Sequence, residues 1–308
     1  MAITAATKTS DFAGFLKPEQ AEDYFEQARR QSVVQTLTRQ VPLGINGQEI
    51  PVVTTKPTAG WVAEGGQKPA TSGAVGLKTI TPKKIAAIAV VSAEVVRANP
   101  ANYVNIFRDD IAEAFAVAFD AAALHGTNSP FGAGNNIDAT TKVVEMGTTT
   151  QANGGIYGDL NAGLKLLVDA KKKLTGFALD TTAEPLLNGA VDLNGRPLFV
   201  EAPYENTALD GGRLLRRPAF YGEGISTPIV NGTPNTGGIV AYGGDWSQAV
   251  WGSVGGISYD VSTQATVTIN GVLTSLWENN LVAIRAEAEY GWLVNDAQAF
   301  VKYTNHTA

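Results

Sequence analysis

Apolar positions along this chain change period several times, and each change marks a new element. Tyr103, Phe107, Ile111, Phe115 and Phe119 recur every fourth residue. Ile106, Ala114, Ala118 and Ala122 widen the stripe, while Arg108, Asp109, Glu113 and Asp120 fall off it. This is one face of a long α-helix. Asn99-Pro100 offers an N-cap and first helical position, and His125-Gly126 offers the stop. About 25 residues at about 1.5 Å each span roughly 37 Å, which suits a structural strut. Leu160, Leu164, Leu167, Val168 and Leu174 predict a second amphipathic helix, with Asp159 as its cap and Gly176 as its stop. A shorter helix is expected from Pro18 to about Ser32. Ala21, Tyr24, Phe25 and Ala28 lie on one of its faces, and Glu19, Glu22, Asp23 and Glu26 load its first half. Residues 1–17, rich in Thr and Ala, read as an arm. Ser92 is expected to cap a short helix ending near Ala98, and Thr182 to start another running through Val191.

Elsewhere the period falls to two. Gln48–Thr54 and Val75–Ile80 read as the legs of a long hairpin, and Lys84–Ser92 is the most strand-like stretch. Further strands are expected at Lys142–Met146, Phe177–Asp180, Pro197–Val200 (after an Asn194-Gly195 turn), Gly238–Tyr242, Ala249–Trp251 and Ile257–Val261. In Leu281–Tyr290, Val282, Ile284, Ala286 and Ala288 alternate with Ala283, Arg285, Glu287 and Glu289, a half-buried strand with one charged face. Residues 127–155 and 221–238 read mainly as loops, and the class is α+β. The 48–80 hairpin has too few apolar residues to build its own core, and a two-stranded ribbon is marginal alone in water. It is expected to lie on something else, with Trp61 as the natural anchor.

Composition narrows the function. The 308 residues are 44% hydrophobic, 17% charged and include 33 glycines. Sparse charge fits a surface partly covered by partners. A net charge of −6 argues against gripping nucleic acid, though not against lying beside it. With no cysteine, disulfides and thiolate metal sites are excluded. The first 16 residues lack a secretory pattern, and the longest apolar run, Ile85 to Val91, is seven residues. A membrane helix needs about 20, so no membrane association is expected and folding and assembly are expected in a cytoplasm.

Chemistry is hard to assemble from these residues. The two histidines are His125, at a helix end, and His306, near the terminus. No metalloprotease, phosphate-loop or nucleophile-elbow motif occurs. Asp180-Thr181-Thr182 reads as a helix cap, and Lys171-Lys-Lys173 as a solvated helix end. Arg213, Arg216 and Arg217 form a basic cluster expected in a loop, able to pair with acidic groups across an interface. The expectation is no catalytic, metal or cofactor site. A carboxylate-based hydrolase is the alternative from another class.

In order, four stretches resemble the tailed-bacteriophage major capsid protein family, with its Hong-Kong-ninety-seven-type fold. They are Trp61–Pro69 leading to Ile80–Ile85 and Val91–Val96; Ile111–Phe115 with Phe119–Gly126 and Pro130–Gly132; Leu187–Gly189 with Asn194–Pro197; and Gly244–Ser247 with Asn279–Arg285 and on to Phe300. The resemblance spans roughly residues 20 to 303. It implies an N-terminal arm over 1–46, an E-loop over 47–84, a peripheral domain with a spine helix over 85–150, an axial domain over 151–267 and closing peripheral strands over 268–308. Subunits would form hexamers and pentamers of an icosahedral shell around double-stranded DNA, held without sequence-specific binding. A portal would occupy one vertex, with scaffolding and decoration proteins as further partners, and the product would be a virion assembled in the host cytoplasm. Trp61, Val62, Glu64 and Lys68 would make the E-loop contact, and Tyr24 and Phe25 the arm contact. Phe107, Ile111, Phe115 and Phe119 would form the spine-helix core. An encapsulin shell of the same fold is the near alternative. One member of the family crosslinks itself through a Lys, an Asn and a Glu. Aligned on Arg285, this chain places Leu276 and Ala283 where the Asn and Glu belong, so no crosslink through Lys68 is expected.

Overall fold

The computed structural model describes residues 32–98, 103–191, 211–222, 224–226 and 238–306. The expected arm helix with Tyr24 and Phe25, the Asn194-Gly195 turn and the strand Pro197–Val200 lie outside these residues, as does the side chain of Phe107.

Helix α1 (Val33–Leu37) and the short β1 (Arg39–Gln40) precede the ribbon strands β2 (Gln48–Thr55) and β3 (Ala74–Ile80). Strand β4 (Lys83–Ser92) runs into α2 (Ala93–Ala98), then α3 (Tyr103–Leu124). Ser92 caps α2 as expected, its Oγ accepting from the Val95 N–H at 3.4 Å. Gly126 takes φ +71 just beyond α3, the left-handed turn that glycine allows. Then follow β5 (Val143–Met146), α4 (Gly155–Asp169), β6 (Gly176–Leu179), α5 (Ala183–Asn188), and the hairpin β7 (Gly211–Leu214) and β8 (Arg217–Tyr221). The remainder is β9 (Ile239–Gly244), β10 (Ala249–Ser253), β11 (Ser258–Ser262), β12 (Thr266–Ile269), β13 (Val272–Ser275), β14 (Leu281–Val294) and β15 (Phe300–Asn305).

Two sheets organise these elements. In the first, Arg285 of β14 pairs with both Ile88 of β4 and Asp260 of β11. Tyr290 likewise pairs with Lys83 of β4 and Ser253 of β10. Strand β4 therefore lines one edge of β14, while β10 and β11 follow each other along the opposite edge. The alternation of β14 sorts its faces: Ile284, Ala286 and Ala288 are buried, and Arg285 is exposed. The apolar face meets Ile111 and Phe115 of α3, so helix period and strand period bury each other. The second sheet has the order β5-β15-β9-β6-β8-β7. Leu160 and Leu167 of α4 pack on its Val240, Val301 and Tyr303.

Between the sheets lies the largest cluster, with Val33, Val34, Phe119, Tyr242, Trp246, Trp292 and Phe300. Phe119 is its hub, meeting Phe131, Tyr290, Trp251 and Trp292 edge-on, with ring centroids 5.5–6.3 Å apart.

Several expectations need correction. Helix α4 begins four residues before Asp159, behind a left-handed Gly154. Asp159 instead turns back onto the preceding loop and accepts from the N–H groups of Gly147 (2.7 Å) and Thr149 (3.2 Å). The helix ends at Asp169, not Gly176. Lys171 adopts φ +56, and the N–H groups of Lys171 and Lys172 return to the carbonyls of Val168 and Leu167, a Schellman closure made without glycine. Gly176 starts β6, and Leu174 reaches the core from the connection. Arg213, Arg216 and Arg217 lie on the β7–β8 hairpin, not in an open loop. Leu215 and Arg216 form its two-residue turn, with φ of +48 and +64.

Candidate assembly surfaces

The ribbon is built to project. Strands β2 and β3 pair antiparallel from Gln48–Ile80 to Thr55–Ala74, with a shift of register between Val53 and Thr55. Its base is tied to the subunit at two points: Ile80 is fully buried, and the Lys78 ammonium donates to the Asn295 carbonyl at 2.7 Å. Gly47 is needed there, since its φ is +84 and a Cβ would sit 2.6 Å from the Ile80 carbonyl oxygen. Beyond the base the ribbon touches little of its own subunit. Val53, Val75 and Leu77 are each more than half exposed, and the Trp61 indole is fully exposed. Gly66 N–H closes a turn onto the Ala63 carbonyl, with Gly65 at φ +76. Trp61 and Val62 are thus presented just before this turn, and Glu64 and Lys68 are exposed beside them. The four expected contact residues therefore share one projecting tip.

Of the expected spine-helix residues, Ile111, Phe115 and Phe119 are buried against the two sheets. Their spacing along one face carries α3 from the first sheet to the junction.

A second exposed surface was not expected. Strands β12 and β13 form a hairpin whose turn is Asn270-Gly271, with φ of +52 and +81. Val272, Leu273 and, just beyond, Trp277 are 65–76% exposed. The signal for this hairpin was available in the Asn-Gly dipeptide inside Thr266-Val-Thr-Ile and Val272-Leu-Thr-Ser.

The polar face of the first sheet carries charges across three strands. Lys84 meets Glu287 at 3.0 Å, and Arg285 meets Asp260 at 2.7 Å and Glu287 at 3.6 Å. The Asp260 hydrogen bond raises the Arg285 pKa further. These pairs are exposed and fix surface pattern more than stability.

Little here resembles reactive machinery. The Nδ1 of His125 lies 3.0 Å from the Tyr242 hydroxyl, and burial lowers the histidine's pKa and raises the tyrosine's. The other histidine, His306, pairs with Glu145 at 2.6 Å. Asp180 accepts from the Thr182 N–H at 2.9 Å, a cap for the turn into α5. Among the described residues no three His, Asp or Glu side chains gather as a metal site, and no helix is long and apolar enough to cross a membrane. Leu276 and Ala283 lie in one apolar cluster with Val90 and Leu281. The nearby amides of Asn279 and Asn280 bond to the Ser275 carbonyl and the Glu94 carboxylate.

The sequence matches the Phage capsid family over residues 13–305. It is 47% identical over 308 residues to a probable major capsid protein of Mycobacterium phage D29, covering 98% of this chain and 93% of that one. Identity to the corresponding protein of Mycobacterium phage L5 is 46%, covering 98% and 92%. Among solved structures, a chain from Gordonia phage Cozz superposes with a TM-score of 0.75 at 25% identity, over 97% of this chain and 94% of that one. The two-sheet architecture with its projecting ribbon and long helix is the Hong-Kong-ninety-seven-type fold, and this chain belongs to the phage capsid family.

Proposed function

We propose that this chain is a major capsid protein whose copies join as hexamers and pentamers into an icosahedral shell around double-stranded DNA. The observation that carries the reading is the ribbon: fifteen strand residues and an 18-residue tip that present Trp61, Val53, Val75 and Leu77 to solvent, tied to the described residues of their own subunit at the base. Such surface is stable when another molecule covers it, and in this reading the covering molecule is a neighbouring copy. In this reading Trp61 and Val62 bury apolar surface on the neighbour, and Glu64 and Lys68 form a polar rim. The arm residues Tyr24 and Phe25 clasp a second neighbour. The β4–β14 sheet with α3 is the peripheral half, and the six-stranded sheet with α4 is the axial half. The role is structural, with no catalytic step and no cofactor. Portal, scaffolding and decoration proteins are partners of the completed particle, formed in the host cytoplasm.

Electron microscopy of the purified full-length protein tests this, with shells or capsomers as the expected result. Discrete single subunits under all assembly conditions would sink the reading. Trp61→Ala should leave subunit unfolding unchanged, because the indole touches nothing it would lose. It should weaken each ribbon contact by about 2–4 kcal/mol, as for a buried aromatic anchor. Assembly of Trp61→Ala at wild-type concentration would remove the tip from the interface.

A further inference from the structure

The point where the N-terminal segment enters the fold is held by a buried carboxylate. Asp120 is on α3 and only 3% exposed. One of its oxygens accepts from the Ser32 hydroxyl at 2.5 Å, and the other from the Val33 N–H at 2.9 Å. The Ser32 Oγ in turn accepts from the Gln35 N–H at 3.0 Å, so the same hydroxyl starts α1 and grips α3. Immediately beyond, Val33 and Val34 are fully buried in the core between the sheets. A loop roofs the site: a Cβ on Gly224 would lie 2.9 Å from the Asp120 Cβ, and one on Gly222 would lie 2.5 Å from the Val33 Cγ2.

Among the described residues no cation balances this carboxylate; Arg29 and Arg30, which precede Ser32 in the chain, lie outside them. The N-terminal side offers a hydroxyl and amides from Ser32, Val33 and Val34. The roofing residues Gly222, Gly224, Ile225 and Ser226 carry no charge, and Glu223 between them lies outside the described residues. Just past the end of α3 the next titratable group is His125, which faces Tyr242. Among the described residues desolvation meets only hydrogen bonds in opposition, and it wins. Burial pushes the Asp120 pKa up to about 7, against the lowering by Ser32, Val33 and Val34.

We propose that Asp120 is a proton-linked latch for the N-terminal segment: it seats Ser32 and Val33 on the long helix, and proton uptake favours this seated state over one in which the segment lifts and water reaches the carboxylate. The sign runs opposite to a salt-bridged acid. A carboxyl whose pKa is raised on seating contributes stability that is fully present below its free value of 3.8 and is lost as pH rises through about 7. Raising the pH thus loosens the point at which the N-terminal segment enters the fold. One proton changes the seated-to-lifted ratio by at most about tenfold per pH unit within that window.

Amide hydrogen exchange of Val33–Leu37 in the full-length protein, measured from pH 5 to 8 and corrected for intrinsic exchange, tests the latch. Protection should fall by up to about tenfold per pH unit and level off above about pH 7. Asp120→Asn, which keeps the shape but cannot ionise, should abolish that dependence. Protection independent of pH in the wild type, or an unchanged slope in Asp120→Asn, would overturn the proposal. Should Asp120→Asn fail to fold, Ser32→Ala decides: losing the hydroxyl that favours the anion should move the midpoint to higher pH, and an unmoved midpoint rejects the latch.

Discussion

Gly163→Ala sets two physical effects of opposite sign against each other. Gly163 lies inside α4, where alanine is favoured over glycine by about 1 kcal/mol, so propensity alone makes the substitution stabilising. The geometry says otherwise. A Cβ at Gly163 would sit 2.1 Å from the Tyr303 hydroxyl oxygen and 2.6 Å from its Cζ. Tyr303 cannot retreat easily: it is fully buried, its hydroxyl donates to the Leu160 carbonyl at 3.3 Å, and its strand β15 is paired on both edges, with β5 and β9. Overpacking costs about 1–3 kcal/mol, and a buried hydroxyl deprived of its partner about 1–3 kcal/mol more. Subtracting the propensity gain of about 1 leaves a net loss centred near 3 kcal/mol. Urea unfolding of wild-type and Gly163→Ala subunits, followed by tryptophan fluorescence, measures this as a lower midpoint at unchanged slope. The double variant Gly163→Ala/Tyr303→Phe removes the contact at 2.1 Å but keeps the one at 2.6 Å, so it should recover only part of the loss. A neutral or stabilised Gly163→Ala would refute the reasoning, and would mean that α4 can move off the sheet at little cost.

Two further outcomes follow from local geometry. Lys171 is exposed and closes α4 at φ +56, so Lys171→Gly should stabilise the subunit by about 1 kcal/mol, read from the same unfolding curves. Assembled particles boiled in detergent should run as a single band of subunit mass, because Leu276 and Ala283 supply neither amide nor carboxylate to Lys68 of a neighbour; a ladder of covalent multimers would reject this.

Much of the architecture was legible because one period dominated each segment. The stripe through Ile111, Phe115 and Phe119 is buried in the structure, and the alternation in β14 separates core from surface from Ile284 to Ala288, whereas Ala283, expected on the charged face, is buried against Val90 and Leu276. The ribbon legs fall within a residue of their expected ends. Boundaries failed where a less usual residue did a glycine's work. Lys171 ends α4 in a left-handed conformation, and Leu215-Arg216 makes a two-residue turn with no Asn or Gly, so neither raised the expected signal. Asp159 was misplaced because a carboxylate near a helix start looks like a cap, whereas this one bonds a loop ten residues back. Asp120 was read correctly as off the apolar stripe but not as buried, since its cover comes from Ser32 and Gly224, remote in sequence. The exposed tip at Trp61 was legible for the opposite reason: an apolar residue in a segment too poor to bury it.

The ribbon's attachment has a mechanical consequence. Lys78 holds the Asn295 carbonyl, the Asn295 side chain bonds Gln248 at 2.9 Å, and Asp296 pairs with Lys172 just past α4. Residues 294–296 also carry the chain from β14 in one sheet toward β15 in the other. A pull on the projecting tip therefore arrives at the short strip where both sheets are stitched together. It is shared at once between two stiff plates, not spent in peeling one edge strand, so tension between neighbouring copies would tilt the plates relative to each other before it opened either of them.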